Sequence, residues 1–153
     1  MSATEGKGRQ EETIEIKKSI VIDASPEVVF KAITDPNELT NWFPDQAILE
    51  PRVGGRMIFS FYKKQQQRGG RGDYIEGTVI DFTPNKKLAY TWEIPDLPDS
   101  KSVVTWELEE IDNNKTRLNL TQTGIKLDKV VKEADAGWTY FLNELVKYCG
   151  KTK

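Results

Sequence analysis

The residues of this chain that could do chemistry lie in the middle of predicted strands. Tyr74, Glu76, Tyr90 and Thr105 each stand within an apolar or alternating segment, where a polar side chain needs a hydrogen-bond partner. A carboxyl group that points into an apolar interior becomes able to act as a general acid or base, which makes Glu76 the candidate for proton transfer. The more common alternative is an outward Glu76 paired with a neighbouring cation.

The amino-acid composition limits which catalytic groups and metal ligands the chain can use. The 153 residues include no histidine, so the usual neutral-pH base and the commonest transition-metal ligand are missing. The single cysteine, Cys149, excludes an internal disulfide, and no serine or cysteine stands in a recognisable nucleophile setting. We therefore expect no metal and no cofactor, and catalysis is the minority hypothesis.

Net charge and hydropathy limit the classes of binding partner that the sequence predicts. Lysine and arginine total 22 against 24 aspartate and glutamate, which gives no overall attraction to nucleic acid or membranes. No run approaches the roughly 18 apolar residues of a membrane span. We expect a cytoplasmic protein that does not bind nucleic acid. The basic stretch KKQQQRGGRG at 63–72 could clasp phosphates, but a charged hairpin tip is the simpler interpretation.

Aromatic residues form a second candidate set. Trp42 and Phe43 are adjacent in the polar connection NELTNWFPD, where exposure of one such ring would forfeit roughly 1.5–3 kcal/mol of burial. Tyr90 and Trp92 share one face of a predicted strand. Four tryptophans in a small domain can either fill a cavity or line one. The residues predicted to form the wall of a site are Trp42, Phe43, Phe59, Trp92, Trp106, Trp138 and Phe141.

Periodicity predicts the elements that position these residues. TIEIKKSIVI at 13–22 alternates as a strand, and Ser25 followed by Pro26 begins a short helix. Asp35 begins a second short helix, which we expect to end around Trp42, with Glu38 completing a capping box. Short turns join six further strand segments as antiparallel hairpins, at 46–51, 56–62, 73–82, 88–93, 102–111 and 116–123.

The last segment predicts one long helix. Apolar residues from Leu127 to Cys149 lie on a single helical stripe, interrupted by Gly137, where either the backbone approaches a strand or the helix bends. Burying such a helix requires the sheet to curl around it. The predicted fold is α+β: a seven-stranded curved antiparallel sheet that grips the helix, with two short helices between strands 1 and 2. We assign residues 1–12 to a disordered arm and 13–150 to one domain.

Five stretches resemble a known superfamily. They are ASPEVVFKAITDPNELTNWF at 24–43, VGG at 53–55, GTVIDFTPNKKLAYTW at 77–92, VTWELEEIDNNKTRLNLTQTG at 104–124 and GWTYFLNELVKY at 137–148. They are similar to the START-like helix-grip (SRPBCC) superfamily, and more narrowly to homologues of the C-terminal domain of the heat-shock chaperone ATPase activator. The resemblance implies a cavity between sheet and helix, in which many members hold hydrophobic ligands.

Three functional hypotheses follow. The first is binding of a hydrophobic or amphipathic small molecule, such as a lipid or polyketide, with Tyr74 and Tyr90 orienting its polar end and Glu76 among the ligand-binding residues. The second is a co-chaperone-like module that binds a chaperone or another protein through its surface. The third is a metal-free enzyme, because some relatives in the superfamily are cyclases or hydratases.

Overall fold

The structure is a computed structural model that describes residues 13–61 and 74–152. A strand is followed by two short helices, six strands and one long helix, as predicted. The predicted arm at 1–12 and the basic stretch at 63–72 lie outside the described residues. The elements are β1 (Ile14–Ile22), α1 (Pro26–Thr34), α2 (Pro36–Leu39), β2 (Gln46–Leu49), β3 (Arg56–Ser60), β4 (Tyr74–Thr83), β5 (Lys87–Trp92), β6 (Ser102–Asp112), β7 (Lys115–Ile125) and α3 (Asp128–Thr152).

The strands form one antiparallel sheet in the order β1-β7-β6-β5-β4-β3-β2. The consecutive strands β1 and β2 therefore lie at opposite edges, and α1 and α2 make the connection between them. The backbone of α3 lies against β1 and β7, so side chains must fill the distance from α3 to the strands on the other side of the sheet. This is the predicted helix-grip arrangement.

The turn between α1 and α2 differs from the predicted capping box. The Asp35 amide donates to the Lys31 carbonyl at 2.9 Å and so ends α1, which leaves it unavailable to Glu38. The Asp35 side chain accepts from the Asn37 amide at 2.9 Å and begins α2. Glu38 instead accepts a hydrogen bond from the Tyr148 hydroxyl at 2.7 Å. The predicted end of α2 near Trp42 is also wrong, because α2 stops at Leu39.

Two glycines differ in what surrounds them. The Gly137 position lies in an uninterrupted α3, and no described atom lies within 4 Å of where a Cβ would be, so α3 approaches no described strand there. In the sheet, a Cβ on Gly77 would collide with the Thr91 carbonyl. There the Thr78 amide donates to the Thr91 hydroxyl at 2.8 Å, which marks an irregular stretch between β4 and β5.

Matched glycine-to-alanine substitutions test this difference. We expect Gly77→Ala to lower the free energy of unfolding by about 1–3 kcal/mol, because β4 must move away from β5. We expect Gly137→Ala to raise it by about 0.5–1 kcal/mol, because alanine lowers the entropic cost of ordering the helix. Urea unfolding of both variants measures these changes. If Gly77→Ala unfolded at the same urea concentration as the wild type, the close approach of β4 and β5 at this position would be contradicted.

Candidate functional site

A connected set of rings lies between α3 and the strands β3 to β6. Phe43 is at its centre, and its ring centroid lies 5.4 Å from that of Phe59 on β3 and 4.8 Å from that of Phe141 on α3. The set includes every ring predicted for the wall together with Tyr90 and Phe61, and we call it the aromatic cluster. Its members are Trp42, Phe43, Phe59, Phe61, Tyr90, Trp92, Trp106, Trp138 and Phe141.

The adjacent Trp42 and Phe43 both enter this interior. Their rings stack on each other, with centroids 5.0 Å apart and an interplanar angle of 15°, and both are buried. The amides of both residues bond to the Leu39 carbonyl, which keeps them in the turn that directly follows α2. Trp42 then contacts Trp106 edge-on, and its indole N–H donates to the Ala32 carbonyl at 2.9 Å. The paired rings thus attach α1 and α2 to the core.

Buried polar groups within the cluster bond to one another. The Trp106 indole N–H donates to the Tyr90 hydroxyl oxygen at 2.9 Å. Burial raises the pKa of Tyr90 far above its usual range, so its hydroxyl stays neutral in the folded protein. The Trp138 indole N–H donates to the Gln122 side-chain carbonyl at 2.8 Å, and the Gln122 amide donates to the Ser102 hydroxyl at 2.8 Å.

Gln122 and Ser102 are absent from the candidates predicted from sequence. The available signal is strand parity, since Gln122 follows Leu118 and Leu120 at a spacing of two and therefore shares their inward face. A buried glutamine at such a position must have hydrogen-bond partners. The polar candidates predicted from the sequence lie on β4, β5 and β6 and include neither Gln122 nor Ser102.

The rings occupy the space between sheet and helix. Phe61, Trp92 and Phe141 are half-buried and form a rim, whereas the other cluster members are buried. Two open hollows of about 410 and 420 Å³ are formed by described residues, and neither is lined by a member of the cluster. A small molecule that reached the buried members of the cluster would meet rings that already contact one another.

Two predicted site residues lie apart from the cluster. Tyr74 and Glu76 are exposed on the outer face of β4, because the inward positions of this strand belong to Ile75 and Val79. Glu76 thus lacks the apolar surroundings that the acid–base hypothesis requires. Thr105 also points outward, since its neighbours on β6 are directed into the core.

Both hollows lie on the outside of the molecule. The first, of about 410 Å³, is enclosed by α2 and the outer faces of β2 and β3. The second, of about 420 Å³, lies beside α1, where Phe30 meets Phe82 edge-to-face at 5.4 Å. The first hollow is lined by Pro36, Asn37, Thr40, Asp45, Gln46, Ala47, Ile48, Ile58 and Ser60.

The end of α3 is fastened to α2 by a polar contact. The Tyr148 hydroxyl donates to the Glu38 carboxylate at 2.7 Å and accepts from the Asn41 amide at 3.4 Å. Desolvation, and then the bond to Glu38, raise the pKa of Tyr148. Burial raises the pKa of the neighbouring Cys149 thiol to about 12, so this thiol stays protonated at neutral pH.

The geometry described above defines a helix-grip domain with a ring-filled interior. Residues 23–150 match the family described as activator of Hsp90 ATPase homolog 1-like protein, and the chain belongs to this family. No curated protein matches the chain. No helix in the described part of the chain, the long α3 included, has the apolar stretch that a membrane crossing requires.

Solved structures share the fold over most of their length. The protein MLL2253 from Mesorhizobium loti is 25% identical, with 93% of this chain and 99% of that chain covered and a TM-score of 0.76. An HSP90 activator from Plasmodium falciparum is 26% identical, covers 90% and 96% of the two chains, and has a TM-score of 0.69. The Aha1 dimer from Colwellia psychrerythraea is 24% identical, with coverage of 86% and 92% and a TM-score of 0.69.

The buried thiol predicts a change in alkaline stability. The Cys149 pKa is about 12 in the folded protein against 9.0 without the protein environment, so above pH 9 only the unfolded chain loses this proton. The free energy of unfolding should therefore fall with rising pH. Between pH 9.5 and 10.5 it should fall about 1.2 kcal/mol per pH unit more steeply in wild type than in Cys149→Ser. Urea unfolding across this range measures both slopes, and parallel curves would contradict the assignment.

Proposed function

We propose that this protein is a co-chaperone-like binding module that contacts a chaperone of the Hsp90 class through its outer surface. The observation that carries the proposal is that mutually contacting rings lie between the sheet and α3, whereas the two hollows described above lie on the outside. The indole N–H groups of Trp42, Trp106 and Trp138 are bonded within the protein, which leaves these donors unavailable to a guest.

The comparisons support the class of partner. The family is described by its relation to an activator of the Hsp90 ATPase, and a solved relative described as an HSP90 activator is 26% identical over 90% of this chain. The proposal concerns binding and does not include stimulation of the ATPase. Exposed apolar side chains such as Ile48 and Val53 occur among charged residues, a mixed surface that suits a transient complex.

Binding to a purified chaperone of the Hsp90 class tests this proposal. In NMR titrations of the isotope-labelled protein, we expect saturable shifts of surface amides, while the indole N–H signals of Trp106 and Trp138 stay in place. An unrelated acidic globular protein of similar size is the control. Absence of shifts at a chaperone concentration of about 100 μM would contradict the proposal, because weak co-chaperone contacts fall well within this range.

A second candidate is binding of an apolar small molecule at the rim of the aromatic cluster. The half-exposed rings of Phe61, Trp92 and Phe141 favour it, as does the open space beside Gly137 on α3. In this mechanism a guest would move the rim rings outward and stack on the buried rings beneath them. The residues that would touch it are those predicted for the wall, without Tyr74 and Glu76.

Tryptophan emission tests the second candidate. Titration with fatty acids, sterols and aromatic polyketides should produce a saturable shift, because Trp92 lies at the rim. Gly137→Leu should abolish the shift by filling the open space, with Gly150→Leu as the matched control at another glycine of α3 that has open space around it. A flat response to the whole panel would exclude this candidate and leave the surface proposal standing.

A further inference from the structure

Four side chains form a continuous row across the outer face of the sheet edge. Ile48 on β2 pairs with Ile58 on β3, Ile58 pairs with Glu76 on β4, and Glu76 pairs with Glu93 beyond the end of β5. Directly paired antiparallel residues direct their side chains to the same face. Two isoleucines therefore stand beside two carboxylates, at strand spacings of about 5 Å.

The two glutamates are a like-charge pair in direct register. Their backbones exchange both amide hydrogen bonds, each at 3.0 Å, so the two side chains are held as neighbours. Like charges placed opposite each other destabilise a sheet. No cation among the described residues forms an ion pair with either, since Arg52 and Arg56 contact the carboxylate of Glu50 instead.

The isoleucines of the row form part of the first hollow. Ile48 is 41% exposed and Ile58 is half-buried, and Pro36 on α2 faces them across the opening. The volume of about 410 Å³ is large enough for one or two bulky side chains. A recess whose lining includes two isoleucines thus lies next to two carboxylates that form no ion pair with a cation of residues 13–61 or 74–152. We call the hollow and the four-residue row together the β2–β4 face.

We propose that the β2–β4 face docks a segment of a partner protein in which a large apolar side chain stands beside a lysine or arginine. The apolar side chain would enter the hollow against Ile48 and Ile58, and the cation would lie on Glu76 and Glu93. The required spacing is about one to two strand separations, or about 5–10 Å, which residues close in sequence provide. This inference rests on the proposed function and specifies the surface and the partner chemistry.

The charge of the face selects against other occupants. The carboxylates of Glu76 and Glu93 would repel the phosphates of nucleic acids and of anionic membranes. A cationic segment gains from both carboxylates, and its attraction should weaken with added salt because the site is exposed. Burial of an apolar side chain against Ile48 and Ile58 supplies an anchor that is independent of salt.

Neutralising the pair tests the role of charge. We expect the double variant Glu76→Gln, Glu93→Gln to bind the Hsp90-class chaperone at least tenfold more weakly and to lose most of the salt dependence. The same variant should unfold at a higher temperature, because the internal repulsion is removed. If Glu76 and Glu93 had only a structural role, the double substitution would change thermal stability and affinity for the chaperone in the same direction. Glu110→Gln, an exposed glutamate on β6, is the matched control for both measurements.

A synthetic peptide gives a second, independent test. An eight-residue peptide of alternating leucine and lysine should shift the amide signals of Ile48 and Ile58 in NMR spectra, and one of alternating leucine and glutamate should not. Ile48→Asp should abolish the response while leaving the fold intact, because this side chain is already 41% exposed. Absence of shifts on this face with the leucine–lysine peptide would overturn the inference.

The outcomes separate the inference from the proposed function. If the chaperone binds and neither the charge-neutralised variant nor Ile48→Asp weakens it, the assigned face is wrong and the proposed function stands. If the chaperone does not bind, the proposed function fails, and the peptide titration still decides whether the face takes a basic and apolar segment.

Discussion

The packing of Phe43 is the interaction on which the rest of the structure depends. A sheet of seven strands that curves around one helix leaves more distance on one side than backbone contact can close, because α3 lies against β1 and β7. Phe43 lies in that space and contacts rings from β3, β5 and α3 at centroid distances of 4.8 to 6.4 Å. Its stacking on Trp42 attaches the short helices to the same core. The Trp42–Phe43 pair thus connects the sheet, the long helix α3 and the two short helices.

Because aromatic rings lie between the sheet and α3, the polar groups that could bind a partner are those on the outer surface. Each aromatic contact contributes about 0.5–1.5 kcal/mol beyond the burial of its area, so a guest must replace many contacts to enter. The buried polar groups are already engaged in the Trp138–Gln122–Ser102 chain and the Trp106–Tyr90 pair. The outer surface, by contrast, has open hollows, and Glu76 and Glu93 form no ion pair with a cation in the described part of the chain.

The sequence predicted the fold well because its signals are periodic. Strand alternation, proline at helix starts and the apolar stripe of α3 each depend on local geometry, and all appear in the structure. Predictions that depend on long-range contacts were less accurate. Glu38 could not be assigned locally, because its partner Tyr148 is distant in the chain. The inward face of Gln122 follows from its parity with Leu120, whereas its partners Trp138 and Ser102 lie on other elements and could not be assigned locally.

The outer pair Glu76–Glu93 was also invisible in the sequence, because it arises from register across an irregular part of the sheet. Its repulsion is a cost to the isolated protein that any of several neutral residues would remove. A lysine or arginine of a docked partner would offset the same repulsion, as the inference above requires. Where a partner's cation supplies this relief, affinity and intrinsic stability change in opposite directions at these two positions. In the interior, by contrast, the hydrogen bonds of the polar groups and the contacts between the rings all stabilise the folded state.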